Sequence, residues 1–132
     1  MPLLSEDETL ALQHASEAAI QYRQSIADRP VPPRDSLDEA VAKFRKPLDD
    51  DGTDADKVIK TLIKFADCGL NQMSCPNFYG FVLGGSVRGC VAADMLVSSW
   101  GQNDGWAMET PAMTVMEREV CDWFIDLLGL PY

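Results

Sequence analysis

The sequence has one histidine, His14, and four cysteines, Cys68, Cys75, Cys90 and Cys121. No two cysteines stand at CxxC spacing, so neither a zinc site nor a thioredoxin-like redox motif is supported. Free, buried thiols in a reducing cytosol are the expectation, and with them a cytoplasmic location. Basic residues are scarce, 11 against 21 acidic, for a net charge of −10. That balance argues against nucleic acid and anionic membrane as partners, since both demand lysine and arginine clusters. No apolar run approaches the ~20 residues of a membrane span. The beginning, Ser5-Glu6-Asp7-Glu8, is acidic where a secretory leader would be basic. GxGxxG, Walker, HExxH and GxSxG signatures are all missing, as are internal repeats and low-complexity tracts.

What is present is helical patterning over 132 residues, one domain's worth. Ser5-x-x-Glu8 has the form of a capping box. Leu12, Ala15, Ala19, Tyr22 and Ile26 then step by three and four, which predicts an apolar face on a long helix over 5–28. Its alanines let another body approach closely. His14, at the edge of that face, is expected to be packed or solvated. The prolines Pro30, Pro32 and Pro33 force an extended connector. Ser36-x-x-Glu39 opens a short helix to about residue 45, and Pro47 bars its continuation. A third helix begins near Thr53–Asp56, with Val58, Ile59, Leu62, Ile63, Phe65 and Ala66 inward and Lys57, Lys60 and Lys64 on the wet side.

Residues 75–132 organise the rest. Phe78 to Leu83 forms an aromatic and aliphatic run with the character of a short strand or extended wall, closed by Gly84-Gly85-Ser86. Val87 to Trp100 is a nearly uncharged helical run, and a helix apolar on all sides is expected to be buried. Thr110 and Pro111 provide an N-cap and first position for a helix over 111–128. Met113, Met116, Val120, Trp123, Phe124, Leu127 and Leu128 mark its apolar stripe. The fold expected is mainly α, with about five helices and one extended stretch near 78–83. Two segments are expected, 1–74 and 75–132, and the long helix of the first is expected to lie across another body.

Few residues invite a chemical role by themselves. Gly84-Gly85-Ser86 before a helix offers backbone amides to an anion, or is a structural turn. Gln102-Asn103-Asp104 is either an interhelical loop or the polar lip of a pocket walled by Phe78 to Leu83.

Several motifs occur in a fixed order. They are Phe78-Tyr79-Gly80-Phe81-Val82-x-Gly84-Gly85-Ser86, Ala92-Ala93-Asp94-x-Leu96, Trp100-x-Gln102-Asn103, Thr110-Pro111-Ala112 and Glu117. Trp123-x-x-Asp126-Leu127-Leu128-Gly129-Leu130-Pro131 closes the series. Together they resemble the N-terminal portion of pyridoxal-5′-phosphate-dependent group II amino-acid decarboxylases, the aromatic-amino-acid, glutamate and histidine decarboxylases. Arg29-Pro30-Val31-x-Pro33 and the Pro47 to Gly52 loop resemble the bacterial-type members. The likeness is dense from Phe78 to Pro131 and loose before Pro30. Cys75 stands where the family commonly has histidine, and Arg88 where it commonly has proline.

The resemblance implies an amino-acid carboxy-lyase with pyridoxal 5′-phosphate as cofactor and an amino acid as substrate. It implies a fold-type I enzyme whose large α/β cofactor domain, with its Schiff-base lysine and cofactor ligands, lies outside these residues. No catalytic, cofactor-binding or metal-binding residue is therefore expected in this chain. Phe81, Val82, Leu83 and Gly84 are the implied substrate-side contribution, with Asn103 and Asp104 as further candidates. A homodimer through the N-terminal helices, and contact with the remainder of the enzyme chain, are the implied partnerships. The competing expectation is a stand-alone helical interaction or dimerisation module.

Overall fold

The computed structural model describes residues 3–48, 50–87, 89–102 and 106–131. Among them the protein is mainly α: five α-helices, one 3₁₀ turn and no strand. The helices are α1 (Glu6–Ser25), α2 (Leu37–Phe44), α3 (Ala55–Ala66), α4 (Cys90–Trp100) and α5 (Pro111–Leu128), with the 3₁₀ turn at Asp67–Gly69. The chain divides into two compact units, one ending at Gly85 and the other beginning at Ser86.

In the first unit, two capping boxes start α1 and α2. Ser5 Oγ accepts from the Glu8 N–H at 3.1 Å while Glu8 Oε2 accepts from the Ser5 N–H at 2.8 Å. Ser36 and Glu39 repeat the arrangement at 3.3 and 2.8 Å. Both glutamates are held below the usual carboxylate range, chiefly by the serine backbone N–H and then by its hydroxyl. The third helix is capped from elsewhere. Asp54 makes no side-chain cap, and the Asp7 carboxylate reaches over from α1 to accept from the Ala55 and Asp56 N–H groups at 2.7 and 3.1 Å. A carboxylate at a helix N-terminus pairs two orphan donors and opposes the helix dipole.

That cap and a second polar tie fix the rotation of α1 on α3. His14 Nδ1 lies 2.6 Å from Asp56 Oδ1, and Lys60 Nζ donates to Asp56 Oδ2 at 2.8 Å. His14 is therefore half-buried and paired. Ala11 and Ile26 are buried, and Ala15, Ala18, Ala19 and Tyr22 are half-buried, so these line the packed side. Leu12, expected on that side, is 56% exposed. Apolar residues occur on more than one side of α1, and the polar ties select which of them meets α3. The edge-on contact of Phe44 with Phe65, ring centroids 6.0 Å apart, joins α2 to α3. On α3, Ile59, Phe65 and Ala66 are half-buried, whereas Val58, Leu62 and Ile63 remain exposed.

The proline connector is strapped down by backbone. The Arg34 and Asp35 N–H groups donate to the Cys68 carbonyl at 2.7 and 3.0 Å, and the Gln72 N–H donates to the Val31 carbonyl at 3.0 Å. The prolines lack donors, so the strap uses carbonyls and the residues that flank them. Side chains add to it. Arg29 Nη1 and Arg34 Nη2 donate to the two oxygens of Asp67 at 2.5 and 2.6 Å, and Lys43 pairs with Asp35.

The second unit differs from expectation. Helix α4 starts at Cys90 rather than near Ser86, because Gly89 holds a left-handed conformation at the N-cap (φ 86°). Its residues are exposed throughout, not buried. Pro111 takes the first turn of α5 and Gly129 (φ 63°) ends it, with the Leu130 N–H donating to the Ile125 carbonyl at 3.0 Å. This is the terminator that glycine's freedom at positive φ allows. Trp123 is 66% exposed and Leu127 80%. Apolar patterning thus specifies the helices without the described residues supplying a cover for them. The cysteines follow the same division: Cys75 is buried and Cys68 half-buried, while Cys90 and Cys121 are exposed against the expectation of burial.

Candidate functional site

The run from Phe78 to Leu83 is not an extended wall. Its chain turns at Phe81 and Val82, which both take left-handed backbone (φ 55° and 57°), and the Leu83 N–H donates to the Gly80 carbonyl at 3.3 Å. Such angles are costly for aromatic and β-branched residues. The turn projects both side chains outward, Phe81 75% and Val82 104% exposed. The Phe81 ring keeps one neighbour, Phe78, at 5.9 Å between centroids. Close approach is met at Gly80: a Cβ there would lie 3.1 Å from Phe78 Cζ. Gly84 has no positive φ, and a Cβ added to it meets nothing within 4 Å. The positive φ falls one residue later, at Gly85 (φ 76°).

The candidate substrate-side residues Phe81, Val82, Leu83 and Gly84 therefore form one exposed apolar turn and its exit. Asn103 and Asp104 lie outside the described residues. Their neighbour Gln102 is exposed and turns its Nε2 back to the Trp100 carbonyl at 3.0 Å, the contact of a helix-ending loop.

Sequence reasoning passed over a more polar place. Arg29 stacks over the Tyr22 ring at 4.8 Å, donates through Nε to Ser25 Oγ at 2.8 Å and pairs with Asp67. Arg34 completes the pair, and a cleft of about 340 Å³ opens beside them. The signal available in sequence was Arg29, Arg34 and Asp67 flanking a proline connector, a pattern without a chemical signature of its own. The Arg29 guanidinium, with Arg34 behind it, holds the Asp67 carboxyl below its usual range despite partial burial. Lys60, and then His14, do the same for Asp56. A carboxylate whose folded-state pKa is depressed stabilises the fold above its unfolded value, and that contribution fades as pH falls through the folded value. Unit 1 should therefore lose thermal stability from about pH 4 downward. Asp67→Asn should be less stable at neutral pH and respond less to acid. Circular dichroism melts across that range test this; parallel curves for the two proteins would remove Asp67 from the account.

Over 78 residues the chain is 31% identical to a protein of Caenorhabditis elegans named "Probable aromatic-L-amino-acid decarboxylase". The chain carries a decarboxylase-related segment. The match covers 59% of this chain and 9% of that protein, so the chain spans a small part of its relative's length. No protein-family model matches the chain, and no solved structure does. Among the described residues no helix is long and apolar enough to cross a membrane.

A pyridoxal phosphate site can be tested against the residues present. The lysines of the chain, Lys43, Lys46, Lys57, Lys60 and Lys64, all lie before the motif-bearing segment. Lys43 and Lys60 are paired with aspartates, and Lys46 and Lys64 sit over the Phe65 ring at 5.8 and 5.7 Å. The exposed turn at 80–83 offers apolar surface, and no lysine stands near it in sequence. That turn by itself therefore supplies no lysine for the cofactor.

Proposed function

We propose that this chain is the N-terminal portion of a cytoplasmic, pyridoxal-5′-phosphate-dependent group II amino-acid decarboxylase of the bacterial type, incomplete for catalysis by itself. The observation that carries this reading is the similarity to a named decarboxylase, over a chain whose motifs run in the family's order. The exposed apolar faces of α4 and α5 support it, since the remainder of the enzyme would cover them. In this reading 1–74 serves a homodimer interface through the N-terminal helices, and 75–132 leads toward the cofactor domain. Leu12 and Ile20, both exposed on α1, are the side chains that would meet the partner subunit. Phe81, Val82, Leu83 and Gly84, with Asn103 and Asp104, would contribute to the amino-acid substrate pocket. The cofactor would be held by residues outside this chain.

A second reading, a non-enzymatic helical interaction module, is favoured by the internal ties of unit 1: the Asp7 cap, the His14–Asp56 contact and the Asp67 clasp. The two readings part on activity. The 132-residue chain mixed with pyridoxal phosphate should release no carbon dioxide from any amino acid, whereas the enzyme encoded by a longer reading frame should do so. Turnover by the chain alone, with a borohydride-trapped adduct on one lysine, contradicts the incompleteness. A longer reading frame that yields no lyase favours the module.

A further inference from the structure

Among the lysines, Lys43 and Lys60 are paired with Asp35 and Asp56. Lys46 and Lys57 are exposed and have no carboxylate partner among the described residues. Both border one groove of about 800 Å³, lined from the end of α2 and from α3. Its apolar surface comes from Phe44, Leu48, Val58 and Leu62. Phe44 is held by its edge-on contact with Phe65, and Lys46 Nζ stands 5.8 Å from the centre of the same Phe65 ring. Asp50, Asp51 and Asp54 are near in sequence, yet among the described residues no carboxylate lines the groove. In a chain of net charge −10, this is a local patch of the opposite sign.

Shape and charge select the occupant. A small-molecule pocket encloses most of its ligand's surface. Here Phe44, Val58 and Leu62 are half-exposed and Leu48 is 96% exposed, so the groove stays open on one side. Such a surface suits the apolar face of an amphipathic helix, whose side chains at i, i+3, i+4 and i+7 enter while its polar flanks stay at the rim. This rim carries two ammonium groups, so carboxylates are the flanks that gain. Charge pairs at a rim set partner choice more than affinity. Nucleic acid and anionic membrane also attract lysine, but the net charge of −10 opposes both.

We propose that this groove docks an acidic amphipathic helix of another protein, its apolar side chains against Phe44, Leu48, Val58 and Leu62 and its carboxylates beside Lys46 and Lys57. The proposal goes beyond the decarboxylase reading and needs neither cofactor nor turnover. The probe is a synthetic peptide of about four helical turns, with leucine at i, i+3, i+4 and i+7 and glutamate on the flanks. A second peptide has lysine for every glutamate. Titrated into the isotopically labelled chain, the glutamate peptide should give saturable amide shifts at Phe44, Leu48, Val58 and Leu62, with a dissociation constant on the order of 100 μM. The lysine peptide should bind ~10-fold more weakly. In the double variant Lys46→Glu with Lys57→Glu, the order of the two peptides should reverse. Leu48→Ser, at an almost fully exposed side chain, should weaken the glutamate peptide while the melting curve stays in place. An enzyme encoded by a longer reading frame should bind the glutamate peptide as the chain does. Equal binding of the two peptides, an order that charge reversal leaves unchanged, or shifts confined to α4 and α5 each overturns the proposal. Binding by the chain but not by the longer enzyme also overturns it, because the groove then belongs to the enzyme's own later residues. Vesicles of phosphatidylglycerol that shift the same amides as strongly assign the groove to a membrane instead.

Discussion

In sedimentation across a concentration series, the 132-residue chain should associate rather than remain a monomer. The cause is on α5. Trp123, Phe124, Leu127 and Leu128 are all exposed, and they fall on one stripe of the helix. Burying each such side chain is worth about 1.5–3 kcal/mol. Four of them approach the 4–15 kcal/mol that association costs in lost rigid-body freedom. Patches beyond a few hundred Å² on soluble proteins ordinarily mark an interface or cause aggregation. Leu127→Asp combined with Trp123→Asp should shift the chain strongly toward monomer while the acid-sensitive melt of unit 1 persists. Leu12→Asp with Ile20→Asp tests α1 in the same way. If only the α1 pair dissolves the association, the N-terminal helices carry the dimer contact. If only the α5 pair does, the association is the accidental meeting of surfaces the longer enzyme would cover. A compact monomer at every concentration contradicts both.

Capping boxes, proline breaks and the Thr110-Pro111 start of α5 were legible in the sequence, because each is a local rule about a few consecutive residues. The rotation of α1 was not. Ala15, Ala19, Tyr22 and Ile26 lie on the expected side, yet Ala11 is buried while Leu12, assigned to that side, is exposed. Periodicity weighs hydrophobicity. What decides here is polar: an Asp7 carboxylate on the start of α3 and a His14–Asp56 contact across 42 positions. The same limit hid the Asp67 clasp, whose members stand 38 and 33 positions apart. Burial of α4 was inferred from composition, which states what a helix would prefer to meet. It does not state that the partner lies among the same residues. The turn at Phe81 and Val82 failed for the opposite reason. Both residues favour extended backbone, and the structure holds them at positive φ, so local preference pointed away from it.

The candidate pocket yields the prediction with the sharpest chemical consequence, and it applies to the complete enzyme. Gly84 has open space where a side chain would stand, and its φ is one that any residue adopts. Valine at that position should therefore leave this chain's melting temperature nearly unchanged. Phe81 is 75% exposed, so Phe81→Ala should also cost the chain little. In the enzyme the space beside Gly84 and the face of Phe81 would belong to the substrate side chain, since small-molecule pockets are mainly apolar. Each variant should then lower kcat/KM by ~10–200-fold, the range in which one change of apolar volume discriminates substrates. On the proposed reading cofactor affinity should hold, since its contacts would come from outside this segment. The strain at Val82 adds a control. Val82→Gly accommodates the left-handed turn without the β-branched penalty, so it should stabilise the turn while removing one apolar contact. Melting temperature, cofactor affinity and steady-state kinetics measured on the same three variants separate the readings. Kinetics that fall with stability intact place the turn in the pocket. Stability or cofactor affinity that falls, with unaltered kinetics for the enzyme that remains folded, makes 80–84 a structural turn and removes Phe81 and Gly84 from the substrate site.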